Sequence, residues 1–259
     1  MSADPSGHAD ALHTALRDAA PIAPLTGRVE GLDLAGAYAI AQAGIARRVA
    51  EGERVVGRKI GLTSVAVQRM LGVDQPDFGV LTDRMDHSDR GAVAVAGMIA
   101  PRAEGEIAFH LKRDLAGPGI GLHDVLLATE SVSACFEIVD SRIRDWKIGI
   151  LDTVADNASA AAFVTSRTRV ALRDLDLAIC GMVLEKNGAL LSTGAGAAAL
   201  GSPLNCVVWL ANQLGRLGDG LRAGDTVLSG ALVPLTPVVR GDHLRLRVGG
   251  LGALDLHFD

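Results

Sequence analysis

Aromatic side chains are nearly missing from this chain: Phe, Tyr and Trp together make up 3% of its 259 residues. Ala, Val, Leu and Gly carry the apolar content instead, so the core must close through small side chains and near backbone approaches. Lysine is equally scarce, with only Lys59, Lys112, Lys147 and Lys186 in a chain rich in arginine. No basic run and no Lys/Arg stripe interleaved with aromatics occurs, and the formal charge is −5. Together these exclude nucleic acid as the main partner. The three cysteines, Cys135, Cys180 and Cys206, are odd in number, far apart and set among apolar residues. They read as reduced core thiols of a cytoplasmic protein, neither a disulfide framework nor a zinc site. A membrane span is also lacking. The uncharged stretch Thr193–Gly215 contains Pro203, Asn205, Asn212, Gln213 and several glycines, which suits a buried segment of a water-soluble protein. The N-terminus shows no basic region followed by an apolar one, so no signal peptide is expected.

What the chain does contain is an ordinary globular composition, 49% hydrophobic and 21% charged, over a length sufficient for a large core. The first fifth is helical in pattern. Ala9–Ala20 is one expected helix, closed by Pro21 and Pro24. Asp33–Glu51 is a second, with Leu34, Tyr38, Ala41, Ile45 and Val49 at helical spacing and Gly52 as a stop. Residues 1–53 therefore read as a small helical N-terminal cap, and 54–259 as a β-rich domain. Within the latter, Arg54–Leu62 and Ser131–Ile143 alternate as strands do, and residues 91–99 form a short apolar strand. Ser64–Leu71 and about His123–Ala128 are short helices. Gly72–Asp83 and Asp152–Ser159 read as turn-rich polar loops, the first carrying Asp77 and the second Asp156, Asn157 and Ser159. Gly181–Leu191 is a hairpin turning at Asn187-Gly188. Gly194–Gly201 superficially matches a dinucleotide fingerprint. The helix, however, starts only at Ser202-Pro203 and runs Pro203–Leu214 to Gly215, so no helix N-terminus lies within the glycines. Asp225–Asp259 yields short strands, the last two around Leu244–Val248 and Leu254–Phe258. Without a regular strand–helix repeat, the pattern predicts an α+β protein with a mixed, strongly curved β core.

Chemistry concentrates in Pro101–Leu111. In a strand, side chains alternate, so Glu104, Glu106, Ala108 and His110 share one face and Gly105, Ile107, Phe109 and Leu111 the other, the expected core face. Two neighbouring carboxylates on a half-buried surface need a compensating cation. On an exposed edge strand they need nothing. Glu137 faces away from the core residues Phe136 and Ile138. If its strand pairs with 104–111, three carboxylates converge, a donor set for Mg²⁺ or Mn²⁺ and not for zinc. Lys59 lies between Gly57 and Gly61 on its own strand face. It is either a surface lysine paired with an acid or an ammonium that something approaches closely.

Seven blocks carry a resemblance that spans nearly the whole chain. They are RKIGLTS at 58–64, QPDFGVLTD at 75–83, PRAEGEIAFHL at 101–111, FEIVDSRIRDW at 136–146, DTVADNAS at 152–159, EKNG at 185–188 and GAGAAALGSPLNCVVWLAN at 194–212. In this order they resemble the 2-oxopent-4-enoate hydratase (2-hydroxypenta-2,4-dienoate hydratase) family of aromatic meta-cleavage pathways, within the fumarylacetoacetate hydrolase superfamily. The resemblance implies a rolled, barrel-like β-sandwich and a divalent metal, Mg²⁺ or Mn²⁺, held by Glu104, Glu106 and Glu137. It implies Lys59 as acid/base, its pKa lowered by burial and by the metal, and Asp77 as a second catalytic residue or a substrate contact. Ser159 is implied as substrate-binding. The substrate would be a small 2-oxo or 2-hydroxy dienoic acid, hydrated to 4-hydroxy-2-oxopentanoate. A 4-oxalocrotonate-type decarboxylase shares scaffold and metal, a fumarylacetoacetate-type C–C hydrolase is a more distant rival, and a non-catalytic partner subunit is a third alternative. The resemblance further implies a homo-oligomer, pentamer-based, with association to a pathway decarboxylase or aldolase. Asp is common as the third ligand among the hydrolases, so Glu137 favours the hydratase branch.

Overall fold

A computed structural model describes residues 4–71 and 73–259, with the side chains of Met70, Leu71 and Asp174 outside the description. Two helices lead. In α1 (Pro5–Arg17), Asp4 caps the N-terminus by accepting the Ser6 N–H at 3.1 Å. In α2 (Leu34–Ala50), Asp33 accepts the Gly36 N–H at 2.8 Å. Leu12 of α1 and Ile40 of α2 share an apolar cluster with Ile143, Val154 and Ala155. Tyr38 of α2 stacks on Phe78, centroids 4.5 Å apart. Helix α2 thus leans on the strand that carries Asp77.

There follow β1 (Val55–Gly61), α3 (Val65–Leu71), β2 (Asp77–Thr82), β3 (Ala92–Val93), β4 (Arg102–Leu111), α4 (Leu122–Ala128), β5 (Thr129–Val139), α5 (Ile150–Ala155) and β6 (Ala160–Thr165). The chain closes with β7 (Gly181–Lys186), β8 (Ala189–Ala195), α6 (Pro203–Arg216), β9 (Thr226–Leu228), β10 (Thr236–Pro237), β11 (His243–Val248) and β12 (Gly252–Phe258). One sheet runs β2-β1-β9-β4-β5-β6, with β10 also on β4. The other runs β3-β12-β11-β7-β8. Both are mixed, since β1/β9 and β12/β3 are parallel and the remaining pairs antiparallel. The sheets enclose one core, in which Ile107, Phe109, Phe136 and Ile138 meet Leu184, Leu244, Leu246 and Phe258. Rolled sheets with a helical start match the expected α+β architecture.

Several elements differ from expectation. Asp77 opens a strand, not a loop, because Asp77–Thr82 pairs antiparallel with β1. Gly72 of that expected loop lies outside the described residues. The polar segment 152–159 is half helix. Its Asp152 accepts the Gly149 N–H at 3.0 Å and so starts a helix where a loop was expected, and α5 then runs into a tight turn at Asn157–Ser159. The strand expected over 91–99 shrinks to Ala92–Val93, and α6 passes through Gly215 to Arg216. β4 is buried on both faces: Glu106, Ala108 and His110 are as enclosed as Ile107 and Phe109. The opposite face packs on Leu81, Met85 and Phe163.

Candidate metal and acid–base site

The register of β4 against β5 pairs Glu104 with Glu137, and the side-chain period of two places Glu106 beside them. One carboxylate oxygen from each of the three lies within 4.8 Å of the others. Glu106 and Glu137 are fully enclosed, whereas Glu104 is half-buried at the wall of a cavity of about 630 Å³. Glu106 Oε2 accepts the Gly230 N–H at 2.9 Å. Glu106 Oε1 and Glu137 Oε2 have no hydrogen-bond donor. Buried carboxylate oxygens without donors carry the full cost of lost hydration.

Lys59 reaches the same place from β1, with Nζ 3.2 Å from Glu137 Oε1. Its neighbouring glycines have assignable reasons. A Cβ at Gly61 would sit 2.2 Å from Asp77 Oδ1, and one at Gly57 would sit 1.8 Å from the Thr226 carbonyl oxygen. The room beside the ammonium is therefore taken by Asp77 on one side and by the β9 backbone on the other. Asp77 is buried, faces Gly61 in register, and accepts a long contact from Thr153 Oγ at 3.4 Å, leaving its Oδ1 without a donor. Ser159 Oγ is likewise buried and unpartnered. Lys59, Asp77, Glu104, Thr153 and Ser159 all line the cavity, whose remaining wall includes Leu62, Val67, Ile148 and Leu232. Arg102 and Trp146 also line it, the guanidinium 4.4 Å over the indole ring.

Charge dominates this arrangement. Burial, and then the neighbouring Glu137, push Glu104 up to about 7. Burial raises Glu106, Glu137 and Asp77 as well. Burial alone would lower Lys59, but Glu137, Asp77, Glu104 and Glu106 outweigh it and hold the ammonium above its ordinary value. The lowered lysine pKa expected from sequence is thus not produced by the protein groups alone. Three buried acids, Asp77, Glu106 and Glu137, and the half-buried Glu104 face one buried base. The missing positive charge and the unpartnered oxygens Glu106 Oε1 and Glu137 Oε2 fit a hard divalent cation with oxygen ligands. Among the described residues, no other group of three or more His, Cys, Asp or Glu converges in this way. Cys135, Cys180 and Cys206 are free and buried.

All six residues singled out by sequence therefore meet at one cavity or directly beside it. Sequence reading did not single out Thr153, Gly230, Arg102 or Trp146. Only the position of Thr153 inside the DTVADNAS block could have signalled it. Gly230 contributes a backbone N–H, which leaves no mark in side-chain chemistry.

Comparison with known proteins places the chain in a family. The pattern of the fumarylacetoacetate hydrolase C-terminal domain matches residues 74–258. A 2-hydroxypent-2,4-dienoate hydratase of Pseudomonas putida is 58% identical over 210 residues, 81% of this chain and 95% of the relative. A 2-hydroxyhexa-2,4-dienoate hydratase of Comamonas testosteroni is 51% identical over 249 residues, 95% of this chain and 94% of that protein. Among solved structures, 4-oxalocrotonate decarboxylase from Pseudomonas putida G7, complexed with magnesium and adipate, superposes with a TM-score of 0.95 at 36% identity. The match covers 98% of this chain and 97% of that one. With this family pattern over most of its length and these identities to hydratases, the chain belongs to the fumarylacetoacetate hydrolase family, in its 2-keto-4-pentenoate hydratase branch.

Proposed function

We propose that the protein is a hydro-lyase that adds water to 2-hydroxypenta-2,4-dienoate, the enol of 2-oxopent-4-enoate, and yields 4-hydroxy-2-oxopentanoate in aromatic meta-cleavage catabolism. The observation that carries this reading is the trio of converging carboxylates, with Lys59 Nζ 3.2 Å from Glu137 Oε1, beside a cavity of about 630 Å³. Glu104, Glu106 and Glu137 would hold Mg²⁺ or Mn²⁺. When bound, such an ion supplies Lewis-acid stabilisation for a 2-oxo acid. Lys59 Nζ is the group placed to give and take protons as the dienol becomes the ketone, protonated at C5. Water oxygen then bonds C4 of the conjugated enone, the C3=C4 electron pair moves to the 2-oxygen as an enolate, and that enolate takes a proton at C3 to give the product. Asp77, with Oδ1 free and its pKa raised by burial, is the chain's own group to accept that water's proton. The Ser159 hydroxyl faces the same space as a hydrogen-bond partner for substrate oxygen.

The test is the ultraviolet absorbance of 2-hydroxypenta-2,4-dienoate with enzyme, with EDTA, and with Mg²⁺ or Mn²⁺ restored. A loss of the diene band that depends on metal is expected. An unchanged band in the presence of either metal would rule the reading out. The fold match to a 4-oxalocrotonate decarboxylase keeps decarboxylation as the second reading. Release of CO₂ from a dicarboxylic 2-oxo-enoate would select it, and metal binding without turnover of either substrate would select a non-catalytic partner subunit.

Exposed Leu122, Leu126 and Leu127 on α4 supply apolar surface for a homo-oligomer built on pentamers, to be measured by light scattering after gel filtration. Three unpaired cysteines suit the reducing cytoplasm. Among the described residues, no helix is long and apolar enough to cross a membrane.

A further inference from the structure

Three successive residues that are not glycine hold left-handed backbone: Asn157 at φ 52°, Ala158 at φ 49° and Ser159 at φ 56°. Each is unfavourable for a residue with a Cβ, and a run of three persists only where its surroundings over-determine it. The run ends on Ser159, whose buried and unpartnered Oγ lies at the large cavity.

Two clamps hold the run. On one side the buried Arg142 guanidinium binds the Asp156 carboxylate, the Asp156 carbonyl, the Asp140 carbonyl at 2.7 Å and the Ala160 carbonyl at 3.1 Å. The Ser159 carbonyl accepts the Asp140 N–H, and the Ser159 N–H donates to the Asp156 carbonyl, both at 2.9 Å. On the other side Asn157 works as an extra strand residue. Its Oδ1 accepts the Val80 N–H at 2.8 Å and its Nδ2 donates to the Val80 carbonyl at 2.9 Å, so both hydrogen-bonding groups of one β2 residue are taken. Gly79, next to Val80, makes the approach possible, since a Cβ there would lie 2.6 Å from the Asn157 carbonyl oxygen. β2 is the strand that begins at Asp77 and pairs with β1 at Lys59.

Arg142 explains why the turn exists; it does not tie the turn to the strand bearing the acid–base residues. Asn157 does. We propose that Asn157 is a positioning residue: through its two bonds to Val80 it locks residues 157–159 onto β2 and so holds the Ser159 hydroxyl at the substrate cavity. The inference rests on the hydratase reading for its substrate, although not for its geometry.

A double-mutant cycle over Asn157→Ala and Ser159→Ala tests it, read both as kcat on 2-hydroxypenta-2,4-dienoate and as calorimetric affinity for 2-oxopentanoate, a saturated analogue, in Mg²⁺. Asn157→Ala is expected to lower kcat tenfold or more while Mg²⁺ affinity stays within twofold of the wild type. The double variant is expected to be no worse than Ser159→Ala alone in either readout. Asn157→Gly, which meets φ 52° without strain, should behave as Asn157→Ala and carries the same test if the alanine variant folds poorly. Additive losses in the cycle, wild-type kcat in Asn157→Gly, or a kcat loss that only follows the folded fraction would each overturn the proposal. Failure of the hydratase reading looks different: the wild type would leave the dienoate intact, and the affinity cycle would still judge Asn157.

Discussion

At the scale of single residues, the cavity is governed by one excess. Asp77, Glu104, Glu106 and Glu137 bring four acids to a place where, among the described residues, the wall carries two bases, Lys59 and Arg102, the latter stacked on Trp146. Replacing Lys59 by Ala should not weaken Mg²⁺ binding. Because the ammonium competes for those carboxylates, its loss can only hold or raise Mg²⁺ affinity, while turnover should fall by two or more orders of magnitude, roughly the range for a lost general acid or base. Isothermal titration and steady-state kinetics on one preparation separate the two effects, and near-normal turnover would remove Lys59 from the mechanism. A different residue sets a pH dependence. His110 is buried on β4, with Nε2 2.9 Å from Ser133 Oγ, and burial, followed by Arg169, lowers its pKa to about 4 from the ordinary 6.5. Between those values the unfolded chain binds a proton that the folded chain refuses, so His110 favours folding fully above pH 6.5 and loses that contribution as the pH falls towards 4. Urea midpoints across this range should fall with acid, and the slope should flatten in His110→Gln.

At the scale of elements, register does the assembling. A slip of one residue between β4 and β5 would turn Glu137 to the face occupied by Phe136 and dissolve the cluster. Register was legible in part, because alternation in Pro101–Leu111 and Ser131–Ile143 placed the acids on definite faces. It could not say that the two strands are neighbours. The misread segments share one cause. Asp77 and the segment Asp152–Ser159 read as loop because short polar side chains favour turns, whereas pairing with β1 makes Asp77 a strand residue and the Asp152 bond to the Gly149 N–H starts a helix. Gly57 shows how little slack the elements have. A Cβ there meets the Thr226 carbonyl oxygen at 1.8 Å on parallel β9, and backbone cannot step aside. Gly57→Ala should destabilise by about 1–3 kcal/mol or more, the usual range for overpacking, seen as a lower urea midpoint. An unchanged midpoint would show that β1 and β9 separate easily.

At the scale of the whole molecule, the two sheets close a core made mostly of small aliphatic side chains and leave one large cavity whose wall includes residues of α3, α5 and the segment 231–235. A ligand that binds only the folded protein stabilises it by mass action. If the carboxylate trio takes a divalent cation, Mg²⁺ or Mn²⁺ at a hundred times its Kd should add about 2.7 kcal/mol, and EDTA should remove it. Thermal melts with and without metal measure this directly. Melts that coincide at every metal concentration would show that the trio remains empty in solution.

The sequence by itself determined the chemistry available: which residues are acidic or basic, which strand face each occupies, the hairpin at Asn187-Gly188, and the family. Those properties follow from local periodicity and from motifs a few residues long, which need no knowledge of distant partners. Tertiary structure alone decided that β4 and β5 lie side by side, that the room next to Lys59 belongs to Asp77, and that the carboxylates keep the lysine protonated. It also decided that a strained turn is fastened to β2 through Asn157. Each of these depends on residues far apart in the chain, Val80 and Asn157 among them, and on the loss of water around buried charge. A linear pattern specifies neither.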